Sequence, residues 1–237
     1  MQVVGVISQL RRYPVKSMRG ESLQTTPLTL QGIPADRRYA FVQKASRSSF
    51  PWLTARELPD LLRYSTLAET ATPQEAEVTV TDPDGAKFAI RSDELRQALE
   101  TRSGRELFLL YDYRGSYDVA PVSVISRQTI TRIAAESGTE ENPLRFRPNL
   151  LVDLEHGEAF DELKWVGRIL RIGDTARIAV TEVDQRCMMI TLDPVSAKPN
   201  PAVLRCVAQQ HKQCAGVYAT VLTPGEINVG DRISLES

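Results

Sequence analysis

The sequence predicts a mainly β protein with a few short helices and a β-barrel architecture. Three observations carry this. Many short runs alternate apolar and polar residues, Ala176 to Val183 most clearly, which is the period of a half-buried strand. Turn signals such as Asp82-Pro83-Asp84-Gly85, Asp193-Pro194 and Thr223-Pro224-Gly225 separate the runs. Only three stretches combine helix caps with helical periodicity. Many strands with so few helices indicate a sheet that curls or closes.

Taken in order, Val3 to Tyr13 reads as a strand ending in the loop Tyr13-Pro14-Val15-Lys16-Ser17-Met18-Arg19-Gly20. Lys16-Ser17 invites comparison with a phosphate-binding P-loop, but the Gly-rich lead-in and the following helix are missing. Ser22 to Leu30 is a second strand, and residues 31–36 turn into a third, Arg37 to Val42, with two arginines at its mouth. Either arginine is solvated or pairs with Asp36, a pairing worth little if exposed. Trp52-Leu53-Thr54 suggests a short strand in an otherwise irregular stretch, with Trp52 read as packing or as lining a pocket mouth. Leu62 to Glu69 and Ala76 to Thr81 read as strands, the second entering a hairpin at Asp82-Pro83-Asp84-Gly85 that returns as Lys87 to Ile90. Ser92 caps a helix with Leu95, Ala98 and Leu99 on one face and Gly104 past its end. Glu106 to Tyr111 is a strand, and the polar segment Asp112 to Ala120 marks the boundary between two halves, expected as domains 1–113 and 114–237.

The second half opens with a strand at Pro121 to Ile125 and a helix capped by Ser126 that ends before Gly138. Strands follow at Leu150 to Val152, Val166 to Ile172 and Ala176 to Val183. Asn200-Pro201 supplies an N-cap and a first-turn proline for the last helix. Val217 to Leu222 and Arg232 to Leu235 complete the strands.

The 237 residues, 42% hydrophobic, suffice for one large domain or two intimate smaller ones. A net charge of -1 from 29 basic and 30 acidic residues gives no reason to expect nucleic acid or an anionic membrane as partner. Neither a signal-peptide pattern nor an apolar run of about 18 residues is present, so a cytoplasmic protein is expected. Three cysteines without Cys-x-x-Cys spacing fit a reducing compartment and argue against a disulfide framework.

Chemistry concentrates at Asp184-Gln185-Arg186-Cys187, where the Ala176 to Val183 strand runs into a polar corner. A thiol beside an arginine at a strand end sits where a cation favours thiolate, which is both a nucleophile and a soft metal ligand. The other reading is a buried, inert cysteine. Cys206 and Cys214 are read as structural, and His156 and His211 as ordinary surface or helix residues. Four further features fall at strand ends or in loops: Lys16-Ser17, Arg37, Asp118 to Pro121 and Arg147-Pro148-Asn149. Gathered together, they offer cations for a phosphate and sulfur for a metal.

Tyr13-Pro14-Val15-Lys16-Ser17, Asp36-Arg37, Arg145-Phe146-Arg147-Pro148-Asn149, Arg186-Cys187 with Thr191-Leu192-Asp193-Pro194, Gly216-Val217-Tyr218 and Ile227 to Asp231 occur in this order along nearly the whole chain. In them the sequence resembles the MOSC family, named for the C-terminal domain of molybdenum cofactor sulfurase. Within it the sequence is similar to the two-domain branch that includes the mitochondrial amidoxime-reducing component. The resemblance implies an N-terminal β-barrel domain and a MOSC β-barrel domain holding molybdenum-molybdopterin. It implies Cys187 as the metal ligand and catalytic sulfur, and Lys16, Ser17, Arg37, Arg147 and Asn149 as contacts to pterin and phosphate. Tyr218, Asp118 and Arg186 fall beside the cofactor, Asp118 and Arg186 as groups shaping charge and protonation. Val119-Ala120 replaces hydroxyl residues common in close relatives, implying fewer phosphate donors. The activity implied is reduction of N-hydroxylated compounds (amidoximes, hydroxylamines, N-hydroxylated base analogues). With no cysteines for a fused ferredoxin, a separate electron-transfer protein of ferredoxin or flavoprotein-reductase type is the expected partner. Two other readings use the same residues: a carrier of molybdenum cofactor or sulfur without turnover, and a metal-free cysteine enzyme.

Overall fold

The alternating strands close on themselves. The computed structural model describes residues 2–69 and 77–236. Its strands in the first half are β1 (Gln2–Arg12), β2 (Glu21–Leu23), β3 (Thr25–Leu28), β4 (Tyr39–Gln43), β5 (Ser65–Glu69), β6 (Glu77–Thr81) and β7 (Lys87–Ala89), followed by α1 (Asp93–Ser103) and β8 (Leu107–Tyr111). The second half has β9 (Val122–Ser126), α2 (Arg127–Ser137), β10 (Leu150–Leu154), β11 (Ile169–Ile172), β12 (Ala176–Gln185), α3 (Pro201–Gln210), β13 (Cys214–Thr223), β14 (Gly225–Asn228) and β15 (Arg232–Leu235). The order β10-β9-β13-β12-β11-β15-β1 is closed by pairing of β1 with β10, giving a seven-stranded barrel. Closure removes the exposed edges that an open sheet would present.

The first strand therefore completes a barrel whose other six strands come from the second half of the chain. It pairs antiparallel with β10 on one side and with β15 and β2 on the other. Register shifts between Ile7 and Gln9 on one side, and Val3 and Gly5 on the other, bend it, as bulges do in curved sheets. Gly5 lies so close to β10 that a Cβ there would stand 2.6 Å from Asp153 O. Inside the barrel pack Ile7, Leu10, Val122, Val124, Leu150, Val152, Ile172, Ile178, Val217, Ala219 and Ile233, all 1% exposed or less. Each large aliphatic side chain so buried contributes about 1.5–3 kcal/mol.

Outside the barrel, β4 pairs with β8, β5-β6-β7 form a three-stranded sheet, and β14 pairs with β3. Leu28 and Ile227 of the β3–β14 pair join the barrel core, whereas the other two sheets border a separate core with Val15, Met18, Tyr39, Phe41, Leu61, Val80, Leu95 and Leu99, joined by Leu192 from the second half. Helices α2 and α3 pack on the barrel's flank through Ile130, Ile133, Val203 and Val207 around Phe146 and Ile190. All three helices begin at the expected caps, Ser92, Ser126 and Asn200, each accepting a backbone N–H with its side chain. Among the described residues, no helix is long and apolar enough to cross a membrane.

The structure redraws several strands. Ser22 to Leu30 divides at Gln24 because β2 pairs with β1 whereas β3, containing Pro27, leaves to pair with β14. Leu62 to Glu69 begins as a 3₁₀ turn at Pro59–Arg63 that buries both Leu61 and Leu62, a pair of neighbours no alternating strand could bury on one face. Val166 to Ile172 shortens to β11, since Gly167 takes a φ of 79° ahead of it. Trp52 to Thr54 supplies only a single bridge, Val42 to Trp52. Ala76 lies outside the described residues, and β6 is described from Glu77.

Exposure separates the two faces of the barrel strands energetically. Ile178 on β12 is fully buried, whereas Leu222 on β13 is 44% exposed. Ile178→Ala is expected to lower the unfolding free energy by about 2–5 kcal/mol. Leu222→Ala is expected to stay within about 0.5 kcal/mol of wild type in the same urea titration.

Candidate functional site

Where β1 ends, Tyr13 is fully enclosed and anchors the loop that follows. Its N–H donates to Asp36 Oδ1 at 2.6 Å and its hydroxyl to Pro148 O at 3.1 Å. Two guanidinium groups face its ring, Arg37 at 4.8 Å and Arg147 at 4.3 Å from the centroid. Such cation–π contacts contribute about 0.5–2 kcal/mol each. Both arginines, and Ser17 in the loop, hold left-handed backbone with φ of 52°, 54° and 66°. Non-glycine residues in that region cost of order 1–3 kcal/mol each and persist only where surroundings enforce them.

The enforcing contacts centre on Asp36, whose side chain has no solvent exposure. Arg37 Nη1 donates to Asp36 Oδ2 at 2.6 Å and to Asn149 Oδ1 at 3.2 Å, and its Nη2 donates to Arg147 O at 3.0 Å. The pairing expected to be weak and exposed is therefore buried, and burial reverses its weight. Asn149 is also buried: Oδ1 accepts from Ser123 N and Oγ, while Nδ2 donates to Arg11 O at 3.1 Å. Its amide is consumed in holding β1, β9 and Arg37 together.

Lys16 is buried, and its ammonium donates to Ser116 O and to Asp118 Oδ1, both at 2.8 Å. The Asp118 side chain stays 61% exposed. Burial pushes the Lys16 ammonium below the ordinary lysine value despite Asp118 beside it. The protein atoms around its inner side work to raise the Asp118 carboxyl although its side chain is largely open to solvent, but Lys16 overcomes this and holds it below the ordinary aspartate value. Arg37 and Arg147 depress both groups, as a positive local field does. Burial likewise lowers the Arg147 guanidinium, to about 10. Among the described residues no carboxylate pairs with Arg147; Nη1 donates to Met18 O at 2.7 Å.

At the end of β12 successive side chains diverge. Arg186 is buried and donates to Ala215 O at 2.7 Å and Phe146 O at 2.9 Å, and it pairs with Asp184 at 2.8 Å. Cys187 is exposed and begins the 3₁₀ turn Met188–Thr191 that the apolar run after it forms. The thiol is therefore not the inert buried cysteine of the alternative reading, and the charge of Arg186 is met by Asp184. Gly216 on β13 makes room for this guanidinium: at φ 81°, a Cβ there would stand 2.7 Å from Val124 O and 3.1 Å from Arg186 Nη2. Burial raises the Asp184 carboxyl above its ordinary value, although Arg186 and a hydrogen bond from Tyr218 pull against it.

These groups line one cavity of about 370 Å³, within the range of small-molecule sites. Of the residues singled out in the sequence, Lys16, Ser17, Arg37, Asp118, Arg147, Arg186, Cys187 and Tyr218 face it, and Asn149 lies behind it. Six cationic side chains line the cavity (Lys16, Arg37, Arg56, Arg145, Arg147, Arg186) against three carboxylates (Asp118, Glu182, Asp184). Sequence reasoning passed over Arg56 and Phe50, and gave no role to Asp184 or Arg145 although both stand in the stretches it singled out. Arg56 lies over the Phe50 ring at 4.6 Å, and Lys16 lies over Trp52 at 5.0 Å. No motif marks Phe50 or Arg56, since they come from irregular chain. Arg145 stood in a quoted motif, and its buried Nε has no partner. An unpartnered buried donor and an excess of cations beside an exposed thiol fit a ligand combining anionic oxygens with a soft metal.

The two arginines on Tyr13 are expected to separate in a stability assay. Arg37→Ala leaves Asp36 buried without its partner and should cost about 3–5 kcal/mol. Arg147→Ala should change stability by about 1 kcal/mol or less, because the lost contacts are offset by no longer burying an unpaired cation. Urea unfolding of both variants checks the contrast.

Comparison with known proteins gives these residues a setting. The MOSC domain matches residues 112–234, and the MOSC N-terminal beta barrel domain matches residues 4–110. Molybdenum cofactor sulfurase of Drosophila willistoni is 26% identical over 257 aligned positions, which cover 93% of this chain and 31% of that protein. The chain thus spans less than a third of the length of this curated relative. The crystal structure of the YuaD protein from Bacillus subtilis superimposes with a TM-score of 0.54 at 15% identity, covering 100% of this chain and 98% of that one, a likeness of fold. With both domain matches falling consecutively along it, the chain belongs to the MOSC family.

Proposed function

We propose that this protein binds molybdenum cofactor in the cavity and reduces N-hydroxylated compounds, with electrons from a separate redox protein of ferredoxin or flavoprotein-reductase type. One observation carries the reading: buried or half-buried Lys16, Arg37 and Arg147 converge with the exposed Cys187 thiol on a single cavity. Family membership associates the chain with this cofactor. In this reading Lys16, Ser17 and Arg147 hold the phosphate and pterin. Arg37 is fixed by Asp36 and Asn149 and presents its remaining face to the same anion. Cys187 is the protein's sulfur ligand to the metal, a role for which an exposed thiol at the cavity surface is suited.

The chemistry supplied by the bound cofactor is two-electron removal of oxygen from an N–O bond, consuming two protons and yielding amine or amidine and water. The chain's part is orientation, charge and protons. Asp118, held below the ordinary aspartate value by Lys16, serves as a carboxylate that limits the positive field. Asp184 pairs with Arg186 at 2.8 Å and holds that guanidinium in place next to Cys187. Arg56 and Phe50 line the opening from the side of the first half of the chain and contact the substrate.

A second reading, delivery of the cofactor or its sulfur to another protein, is favoured by the exposure of Cys187 and by the name of the Drosophila willistoni relative. Molybdenum and pterin analysis of protein from cofactor-competent cells separates the possibilities. Near-stoichiometric metal is expected in wild type, with turnover of an amidoxime when a reducing partner is added. Cys187→Ser should keep the fold and lose reductase activity, and Arg147→Ala should lower cofactor occupancy. Metal bound without turnover by any donor supports the carrier reading. Full activity in folded Cys187→Ser would remove the proposed metal role.

A further inference from the structure

A second convergence of ligand-type side chains lies away from the cavity, between α2 and the end of α3. Cys206 sits on the buried face of α3, His211 is the residue that ends it, and Glu136 lies in the last turn of α2. Cys206 Sγ, His211 Nε2 and a Glu136 carboxylate oxygen all lie within 4.8 Å of one another. Glu136 Oε2 is 2.5 Å from His211 Nε2 and accepts from Cys206 Sγ at 3.5 Å.

The positions are fixed by more than this contact. His211 stacks on Phe160 with ring centroids 3.9 Å apart and planes at 21°. Its N–H and that of Gln213 both donate to Val207 O. Lys212 and Gln213 then take consecutive left-handed conformations, φ 52° and 63°, to turn the chain into β13. Two such residues in succession are costly and persist where the surroundings enforce them.

We propose that Glu136, Cys206 and His211 form a binding site for a zinc-class divalent ion that clips α2 to the end of α3. Thiolate, imidazole and carboxylate are the three donor types zinc takes, and three protein ligands leave a fourth position for water. Sulfur and imidazole together select against magnesium and calcium, which take oxygen. On binding, the Cys206 S–H bond is replaced by a sulfur–metal bond and its proton passes to solvent; no group is oxidised or reduced. His211 coordinates through Nε2 with its proton on Nδ1. The Phe160 stack serves as the outer contact that sets the ring plane. His211 and Glu136 remain 16% and 21% exposed, so an ion can enter from solvent. The clip would brace the helices whose core includes Phe146 and Ile190, two residues that also line the cavity.

The test is Co²⁺ titration of the full chain after chelator treatment, read by the near-ultraviolet thiolate-to-cobalt band. Wild type and Cys187→Ser should each take one equivalent with that band, and Zn²⁺ should displace it and raise the Tm. Cys206→Ser should lose the band. His211→Asn and Glu136→Gln should weaken binding at least as much as the roughly 10–100-fold that losing an outer contact costs. Absence of a stoichiometric band in wild type would overturn the proposal. So would a band kept by Cys206→Ser, one lost only in Cys187→Ser, or wild-type affinity in His211→Asn.

Discussion

The site depends on a carboxylate that has no access to water. Asp36 is fully buried, so the protein must supply a cation and hydrogen-bond donors to it or lose several kcal/mol. Arg37 and the Tyr13 amide meet that demand. In doing so they fix the end of β1, the start of the loop bearing Lys16 and Ser17, and the approach to β4. Asn149 links the same guanidinium to Ser123 and to the Arg11 carbonyl, so β1, β9 and the segment before β10 share one hydrogen-bonded knot. Barrel closure by β1 and the cavity wall therefore rest on the same contacts. A chain that failed to pair β1 with β10 would also lose the loop that carries Lys16.

Part of the backbone strain falls where charge is concentrated. Ser17, Arg37 and Arg147 all adopt left-handed backbone without being glycine, and all three face the cavity. A glycine at any of these positions would relax the backbone but remove the hydroxyl or guanidinium. The conformations are held by the Asp36 pair, by the Tyr13 ring between two arginines, and by the Arg147 to Met18 hydrogen bond. The backbone cost is thus tied to side chains that the fold itself does not require in that number.

The fold class was legible because period-2 alternation and capping residues are local signals. Ser92, Ser126 and Asn200 cap helices as the sequence indicates, and β12 alternates from Ala176 to Val180 before a register shift turns both Thr181 and Glu182 outward. Closure through β1 was not legible, since pairing of β1 with β10 joins residues about 140 positions apart with no local trace. The site residues were readable where a motif marked them, as at Lys16, Arg147 and Cys187. Phe50 and Arg56 were not, because irregular chain has no periodicity to place a side chain. Asn149, expected to contact pterin and phosphate, has its amide engaged by Ser123, Arg37 and the Arg11 carbonyl, a direction set by the buried donors and acceptors that folding brings near it. The Glu136, Cys206 and His211 group was hidden in the same way, spread over two helices and a turn whose packing brings them together.

The cavity's charge balance connects stability to ligand. Asp36 and Asp193, set behind the lining, pair with Arg37 and Arg145, but Arg147 pairs with no carboxylate among the described residues and is lowered to about 10, an arrangement that burial penalises. Arg145 donates to Ile190 O, Thr191 O and Asp193, and leaves only its buried Nε without a partner. An anion with several oxygens would satisfy such donors at once, and its binding free energy would then appear as folding stability by linkage. The same residues that weaken the free protein are those that a phosphate-bearing ligand would reward. Cys187 lies outside this balance, because an exposed thiol carries no burial penalty for a ligand to relieve. On the proposed function, charge in the cavity would govern whether an anionic ligand is held, and Cys187 would govern which soft atom is presented with it.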